Sequence, residues 1–121
     1  MLVRELMTRN VIHVRPKDSL AVARASLRTN QIHHLLVMDD GMVVGVVSMR
    51  DIGGKPDSMQ VSEFMAREVA SIDADATLRR AASLMIRSTT GCLPVMENGR
   101  VAGIITTTDL MRVLNADMTL S

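Results

Sequence analysis

The stretch Leu35–Asp51, LLVMDDGMVVGVVSMRD, returns as Leu93–Asp109, LPVMENGRVAGIITTTD. In both copies two apolar runs flank a short polar turn, Asp39-Asp40-Gly41 in one and Glu97-Asn98-Gly99 in the other. Asp-Gly and Asn-Gly between β-rich runs specify a hairpin, because its tight turn needs residues that accept positive φ. Working outward, the same offset of 58 holds without a gap from Val3/Val61 to Ile52/Leu110, giving 50 aligned pairs, of which fourteen are identical. Ordinary residue frequencies would give about 3 identities. Gly41/Gly99, Gly45/Gly103 and Asp51/Asp109 all fall in step. The chain is one unit written twice, and a repeat has to be found before the fold is assigned.

The rest of each copy reads alike. A short helical turn (Arg4 to Met7; Ser62 to Met65) leads into a short extended segment (Val11 to Val14; Val69 to Ile72). Ser19 and Thr77 then stand as N-caps before a helix. Leu20, Ala23, Leu27 and Leu78, Ala81, Met85 step by three and four, as one helix face requires. The hairpin comes next, and a last helix starts near Ser48 and Thr106. Each copy is therefore β-α-β-β-α, a mixed α/β unit of the α+β class. The boundaries are 1–52 for the first repeat, 53–60 for a linker rich in Gly and Pro, and 61–121 for the second. A repeat of ~60 residues is marginal for burying its own core. The two are expected to form one tandem module around a pseudo-twofold axis.

Composition narrows the function. The 121 residues include 11 Met, one Phe (Phe64) and no Tyr or Trp, so the core must be aliphatic with Met as filler. Functions that need stacking rings lose support. Charge is nearly balanced, with 14 Lys+Arg against 13 Asp+Glu, and no basic arm is visible, so nucleic-acid binding is not expected. The one cysteine, Cys92, can neither close an intrachain disulfide nor build a Cys-rich zinc site. Arg4, Glu5 and Arg9 come too early for a signal peptide, and no apolar run approaches the ~20 residues of a membrane span. A cytoplasmic location with no membrane attachment is the expectation.

Several strings resemble the cystathionine beta-synthase (CBS) domain: Leu6-Met7-Thr8, Leu20 to Ala23, His34-Leu35-Leu36-Val37-Met38-Asp39 and Gly45 to Asp51. The second half resembles it again in Phe64-Met65-Ala66, Leu78, Cys92-Leu93-Pro94-Val95-Met96 and Gly103 to Asp109. Together they cover Val3 to about Leu114. The resemblance implies a tandem CBS pair in which two sheets pack face to face and two clefts between the repeats take adenosine compounds. It also implies a disc-like homodimer, and a sensor that regulates a partner protein, here unidentified, without being an enzyme. No cofactor is required. The regulatory ligand would be AMP, ADP, ATP or S-adenosylmethionine, with a Mg ion as an accessory to the phosphates.

The motif Gly-x-x-Ser/Thr-x-x-Asp fits that ligand chemistry. A carboxylate accepts two hydrogen bonds from a ribose diol. A hydroxyl with backbone N–H groups at a helix N-terminus suits phosphate, and the strand glycine permits close backbone approach. The same spacing is a capping box that starts the last helix with no ligand at all, and the two roles can coexist. The resemblance implies that each cleft takes the motif Asp from one repeat and the first extended segment from the other. The Asp109 cleft would then combine Thr106, Thr107 and Thr108 with Val14, Arg15 and Lys17. The Asp51 cleft would combine Ser48 and Arg50 with Ile72, Asp73 and Asp75, whose carboxylates repel phosphate unless a cation intervenes. The Asp109 cleft is the better expected site. The adenine slot must be aliphatic, with Val46, Ile104, Val14, Ile72 and the segments around His33 and Gly91 as candidates. Pro94 matches the family's Leu-Pro-Val, and Leu36 departs from it. No catalytic or metal-ligating residue is assigned: Cys92 lacks a visible base and orienting group, and the histidines lack zinc-motif spacing. The competing reading is a ligand-free module that mediates constitutive dimerisation or scaffolding.

Overall fold

A computed structural model describes residues 1–88 and 90–120. Its elements run α1 (Val3–Leu6), β1 (His13–Val14), α2 (Leu20–Asn30), β2 (His34–Asp39), β3 (Met42–Ser48) and α3 (Met49–Ile52). A 3-10 turn (Val61–Glu63) comes next, then β4 (Ile72–Asp73), α4 (Leu78–Arg87), β5 (Cys92–Glu97), β6 (Arg100–Thr106) and α5 (Thr107–Leu120). The expected order is present in both copies. The caps are those expected from sequence: Ser19 accepts from the Val22 N–H at 3.3 Å and Thr77 from the Arg80 N–H at 3.1 Å.

Two compact units result, and they cut across the repeats. One is Ile12–Val69, called here the Asp51 unit. The other joins Met1–Val11 to the chain from Ala70 onward, and is called the Asp109 unit. Each repeat therefore lends its leading segment to the sheet of the other repeat.

The Asp51 unit holds the sheet β1-β2-β3, in which β1 runs parallel to β2 and β2 antiparallel to β3. The hairpin turns through Asp40 (φ 50°) and Gly41 (φ 76°), both left-handed as an Asp-Gly turn requires. Leu20, Ala23 and Leu27 of α2 are buried against Leu35, Val37 and Val47 of the hairpin. Val61 and Met65, from the leading segment of the second repeat, join this core. That segment is anchored by Val46–Ala66 backbone pairing, at 3.0 and 2.8 Å, and by the bridge between Ser19 and Gln60. The linker is held by Arg24, whose guanidinium donates to the carbonyls of Ile52 (3.2 Å), Gly53 (3.0 Å) and Lys55 and to the Asp57 carboxylate.

The Asp109 unit repeats this plan at the offset of 58. Its sheet is β4-β5-β6, its turn uses Asn98 (φ 53°) and Gly99 (φ 75°), and Val3 and Met7 enter its core beside Ala81, Met85, Leu93 and Ile105. Thr8 and Ile104 pair at 2.9 Å in both directions, and Leu2 bridges to Thr77. Both hairpins carry a register shift at the same place, Val37/Met38 and Val95/Met96. One difference traces to a single residue. The parallel ladder starts at His13 and Leu36 in one unit, but at Ile72 and Val95 in the other. Pro94, which replaces Leu36, has no N–H to donate, so the first rung is missing. The hairpin around Leu36 otherwise keeps the register of its counterpart.

The glycines Gly45 and Gly103 are needed for this exchange. A β-carbon at Gly45 would lie 2.9 Å from the Ala66 carbonyl oxygen, and one at Gly103 2.7 Å from that of Thr8. The close approach expected from the motif is therefore made by the exchanged backbone segment rather than by a ligand.

Candidate functional site

In the Asp109 unit, Thr106 ends β6 and Asp109 lies in the first turn of α5. Asp109 Oδ2 accepts from the Thr106 N–H at 2.9 Å and from the Thr106 hydroxyl at 3.1 Å, and Thr106 Oγ1 faces the Asp109 N–H at 3.4 Å. The capping box expected from the spacing is thus formed. It uses one carboxylate oxygen. The other, Oδ1, faces the Arg112 guanidinium at 3.8 Å, with the Arg112 side chain 74% exposed. Asp109 is the one buried charged residue among those described, at 8% exposure. Gly91 also belongs here: its carbonyl accepts from the Thr107 N–H at 3.0 Å, which ties the entry of β5 to the start of α5. Thr108 is exposed on the first turn.

The Asp51 unit forms the same box, with Asp51 Oδ2 at 2.9 Å from the Ser48 nitrogen and 3.0 Å from its hydroxyl. Its setting differs. Asp51 and Arg50 are exposed, and α3 is one turn that stops at Gly53. The position equivalent to Arg112 is Gly54. A four-residue helix offers little dipole to an anion, whereas α5 runs 14 residues from Thr107.

The remaining expected residues are divided between the units. Ile104 is half-buried on β6 beside Thr8, in the Asp109 unit. Val46 is its counterpart in the Asp51 unit, with 2% exposure. The backbone N–H of both donates to the exchanged segments, and the C=O of both accepts from them, so neither has an N–H left for an adenine edge. Val14 (3% exposed), Arg15 and His33 belong to the Asp51 unit. Arg15 and His33 are exposed, and the Arg15 N–H donates to Asp18 at 2.8 Å. Ile72, Asp73 and Asp75 belong to the Asp109 unit. Asp75 is paired with Arg4, which also meets Glu97 at 3.0 Å, so this carboxylate is already neutralised by a neighbour. Those partners hold the Arg4 guanidinium above its ordinary range, first of all through the hydrogen bond and charge of Asp75.

Cys92 is fully buried at the start of β5, and burial pushes its thiol up to about 12. A thiol held protonated at neutral pH is a packing residue. No cluster of three or more metal-ligating side chains occurs among the described residues. No described helix is long and apolar enough to cross a membrane.

Two participants escaped the sequence reading. Arg112 lies one turn beyond Asp109, and i, i+3 spacing on the last helix could have pointed to it. The Met7–Thr8 segment could have been found from Gly103, whose missing side chain marks a close neighbour.

The CBS domain model matches residues 3–52 and again 61–116, and the chain belongs to the CBS domain family. A CBS domain-containing protein of Dictyostelium discoideum is 31% identical over 94% of this chain and 91% of its own length. The inosine-5'-monophosphate dehydrogenase of Thermoplasma acidophilum is 27% identical over 88% of this chain, which spans only 22% of that enzyme. The chain likewise spans 31% and 28% of two Methanocaldococcus jannaschii proteins that it matches. Among solved structures, the CBS domain pair of protein MJ0100, in complex with 5'-methylthioadenosine and S-adenosyl-L-methionine, is 26% identical with a TM-score of 0.88, over 97% of this chain and 98% of that one. The fold is that of a CBS domain pair, and such a pair is a regulatory module.

Proposed function

We propose that this chain senses an adenosine-containing small molecule in the cytoplasm through the Thr106–Asp109 end of the Asp109 unit, and passes the signal to a partner protein as a homodimer. AMP, ADP, ATP and S-adenosylmethionine are the candidate ligands, with Mg accompanying the phosphates where present. The observation that carries the reading is the asymmetry between two equivalent capping boxes. Each box leaves Oδ1 of its aspartate outside the cap. Only in the Asp109 unit is that aspartate buried, set beside a cation and placed at the head of a long helix. A desolvated carboxylate binds a ribose diol more strongly than an exposed one. The adenosine compounds bound by the MJ0100 pair support the ligand class. Thr107 and Thr108, on the same first turn, would face phosphate or another polar group.

A chain without Tyr or Trp absorbs almost nothing at 280 nm. A 260 nm band in a preparation freed of nucleic acid therefore reports a co-purified adenosine compound, and mass spectrometry identifies it. Thermal shift provides the second readout, since a site filled at 100 times its Kd adds about 2.7 kcal/mol to stability. The competing reading, an assembly module without ligand, draws on the fact that both boxes are closed by protein groups alone. It is favoured if no adenosine compound co-purifies and none raises the melting temperature.

A further inference from the structure

Asn98 and Gly99 form the tip of the β5–β6 hairpin. Both are exposed and both have left-handed φ, 53° and 75°. Glu97 and Arg100 make the last rung of the ladder, so the tip lies beyond every strand pair. The Asn98 side chain makes no hydrogen bond among the described residues, and the Gly99 N–H enters no backbone bond there. Nothing lies within 4 Å of a β-carbon placed on Gly99. A free side-chain amide and an uncommitted, unshielded main-chain nitrogen thus stand one residue apart. The other asparagines lack this combination. Asn10 precedes the β-branched Val11. Asn30 lies in α2, with its amide donating to the Ser26 carbonyl at 2.8 Å, and Asn115 lies within α5 before Ala116.

We propose that Asn98 is a site of spontaneous deamidation, and that its isoaspartate product loosens the hold of this hairpin on the leading segment Met1–Val11. The Gly99 nitrogen loses its proton to hydroxide and attacks Cγ of Asn98. The new N–Cγ bond closes a cyclic imide as the Cγ–Nδ2 bond breaks, and ammonia leaves. Water then opens the imide. Attack at Cγ gives aspartate, and attack at the main-chain carbonyl gives isoaspartate, whose peptide link runs through Cγ. The sum is asparagine plus water to acid plus ammonia, with no change of oxidation state. The two products differ in their fit. The counterpart turn holds Asp40 at φ 50° in the same place, so an ordinary aspartate suits this turn. Isoaspartate lengthens the main chain by one methylene, and loop length sets hairpin register. Glu97, the residue before it, accepts from Arg4 at 3.0 Å and faces Arg9 at 3.7 Å. Moving Glu97 releases both arginines of the leading segment. The Asp51 unit has no such reaction at its tip, because a carboxylate at Asp40 would have to expel oxygen instead of ammonia.

The test ages the folded full chain at mildly alkaline pH and follows each asparagine by peptide mapping with mass spectrometry. Asn98 should convert at least about tenfold faster than Asn10, Asn30 or Asn115, since only Gly99 lacks a β-carbon to block the attack. The rate should rise with pH, and digestion by a protease that cleaves before aspartate but not isoaspartate should show both products. Asn98→Gln is the control: its ring closure is slower, and Gln31 shows that glutamine adopts φ 53° in this protein. Aged wild type should exchange the Arg4 and Thr8 amide protons faster than aged Asn98→Gln. Fresh Asn98→Asp should match fresh wild type in exchange and melting temperature. Conversion of Asn98 no faster than that of Asn10 overturns the proposal. So does conversion only in urea, which would mean that the folded turn protects the residue. Equal exchange in aged wild type and aged Asn98→Gln overturns the release of the leading segment. Asn98 lies outside the Thr106–Asp109 box, so adenosine binding succeeds or fails separately.

Discussion

Gly103 and Thr8, 95 positions apart in sequence, approach so closely that a β-carbon on Gly103 would fall 2.7 Å from the Thr8 carbonyl oxygen. That contact lets the leading segment of the first repeat pair with the strand that carries the second repeat's motif. Gly103→Ala should therefore force the strands apart and lower stability by about 1–3 kcal/mol. Gly54→Ala is the control, since nothing lies within 4 Å of its added carbon. Thermal unfolding followed by circular dichroism reads both, and equal melting temperatures would contradict this role for Gly103.

Cys92 predicts a limb of the stability profile at alkaline pH. Burial pushes its pKa from 9.0 to about 12, so the unfolded chain loses this proton first as pH rises. The folded state binds more protons between those values. The thiol's contribution is thus fully present below about pH 9 and disappears as pH climbs toward 12. Denaturant titrations across that window should show the wild type losing stability faster than Cys92→Ala. Parallel curves would show that the thiol is not protected. At pH 8 a thiol reagent should label the folded protein far more slowly than the unfolded chain.

Arg24 holds the linker through three carbonyls and Asp57, with only 16% of its side chain exposed. Arg24→Ala should cost about 2 kcal/mol, because several hydrogen bonds from one charged, largely buried group are lost together. Amide exchange at Gly53, Gly54 and Lys55 should accelerate at the same time. Arg28→Ala, on the same helix but exposed, should change stability by no more than about 0.5 kcal/mol. Equal exchange in the two variants would remove Arg24 from this role.

Much of the plan is legible in residues alone. The offset of 58, the Asp-Gly and Asn-Gly turns, the Ser19 and Thr77 caps and the stepping of Leu20, Ala23 and Leu27 are local signals, and each is present in the structure. The exchange of leading segments is not local. Val3 and Val61 are apolar in either arrangement, and periodicity does not say which sheet they cover. Only Gly45 and Gly103 hint at it, and a strand glycine reads equally well as room for a ligand. At the site, the spacing Ser/Thr-x-x-Asp revealed the box but not its burial. The contrast between exposed Asp51 and buried Asp109 depends on the residues C-terminal to each motif, Gly53-Gly54 in one copy and a helix of 14 residues in the other.

The ranking of the two boxes also yields a stability prediction. Losing either cap should cost about 1 kcal/mol, a typical figure for an N-terminal cap. Asp109→Ala should cost more than Asp51→Ala, because α5 is long and Asp109 is buried. Asp109→Asn, which can still accept from Thr106, should recover part of the loss. A larger loss for Asp51→Ala in urea titrations would reverse the assignment of the stronger box.

Calorimetric titration of AMP, ATP and S-adenosylmethionine into the wild type, Asp51→Ala and Asp109→Ala tests the central claim most directly. Saturable binding of at least one of these compounds is expected, kept in Asp51→Ala and lost in a folded Asp109→Ala. Binding that survives in Asp109→Ala and vanishes in Asp51→Ala, or no binding of any of the three to the wild type, would contradict it.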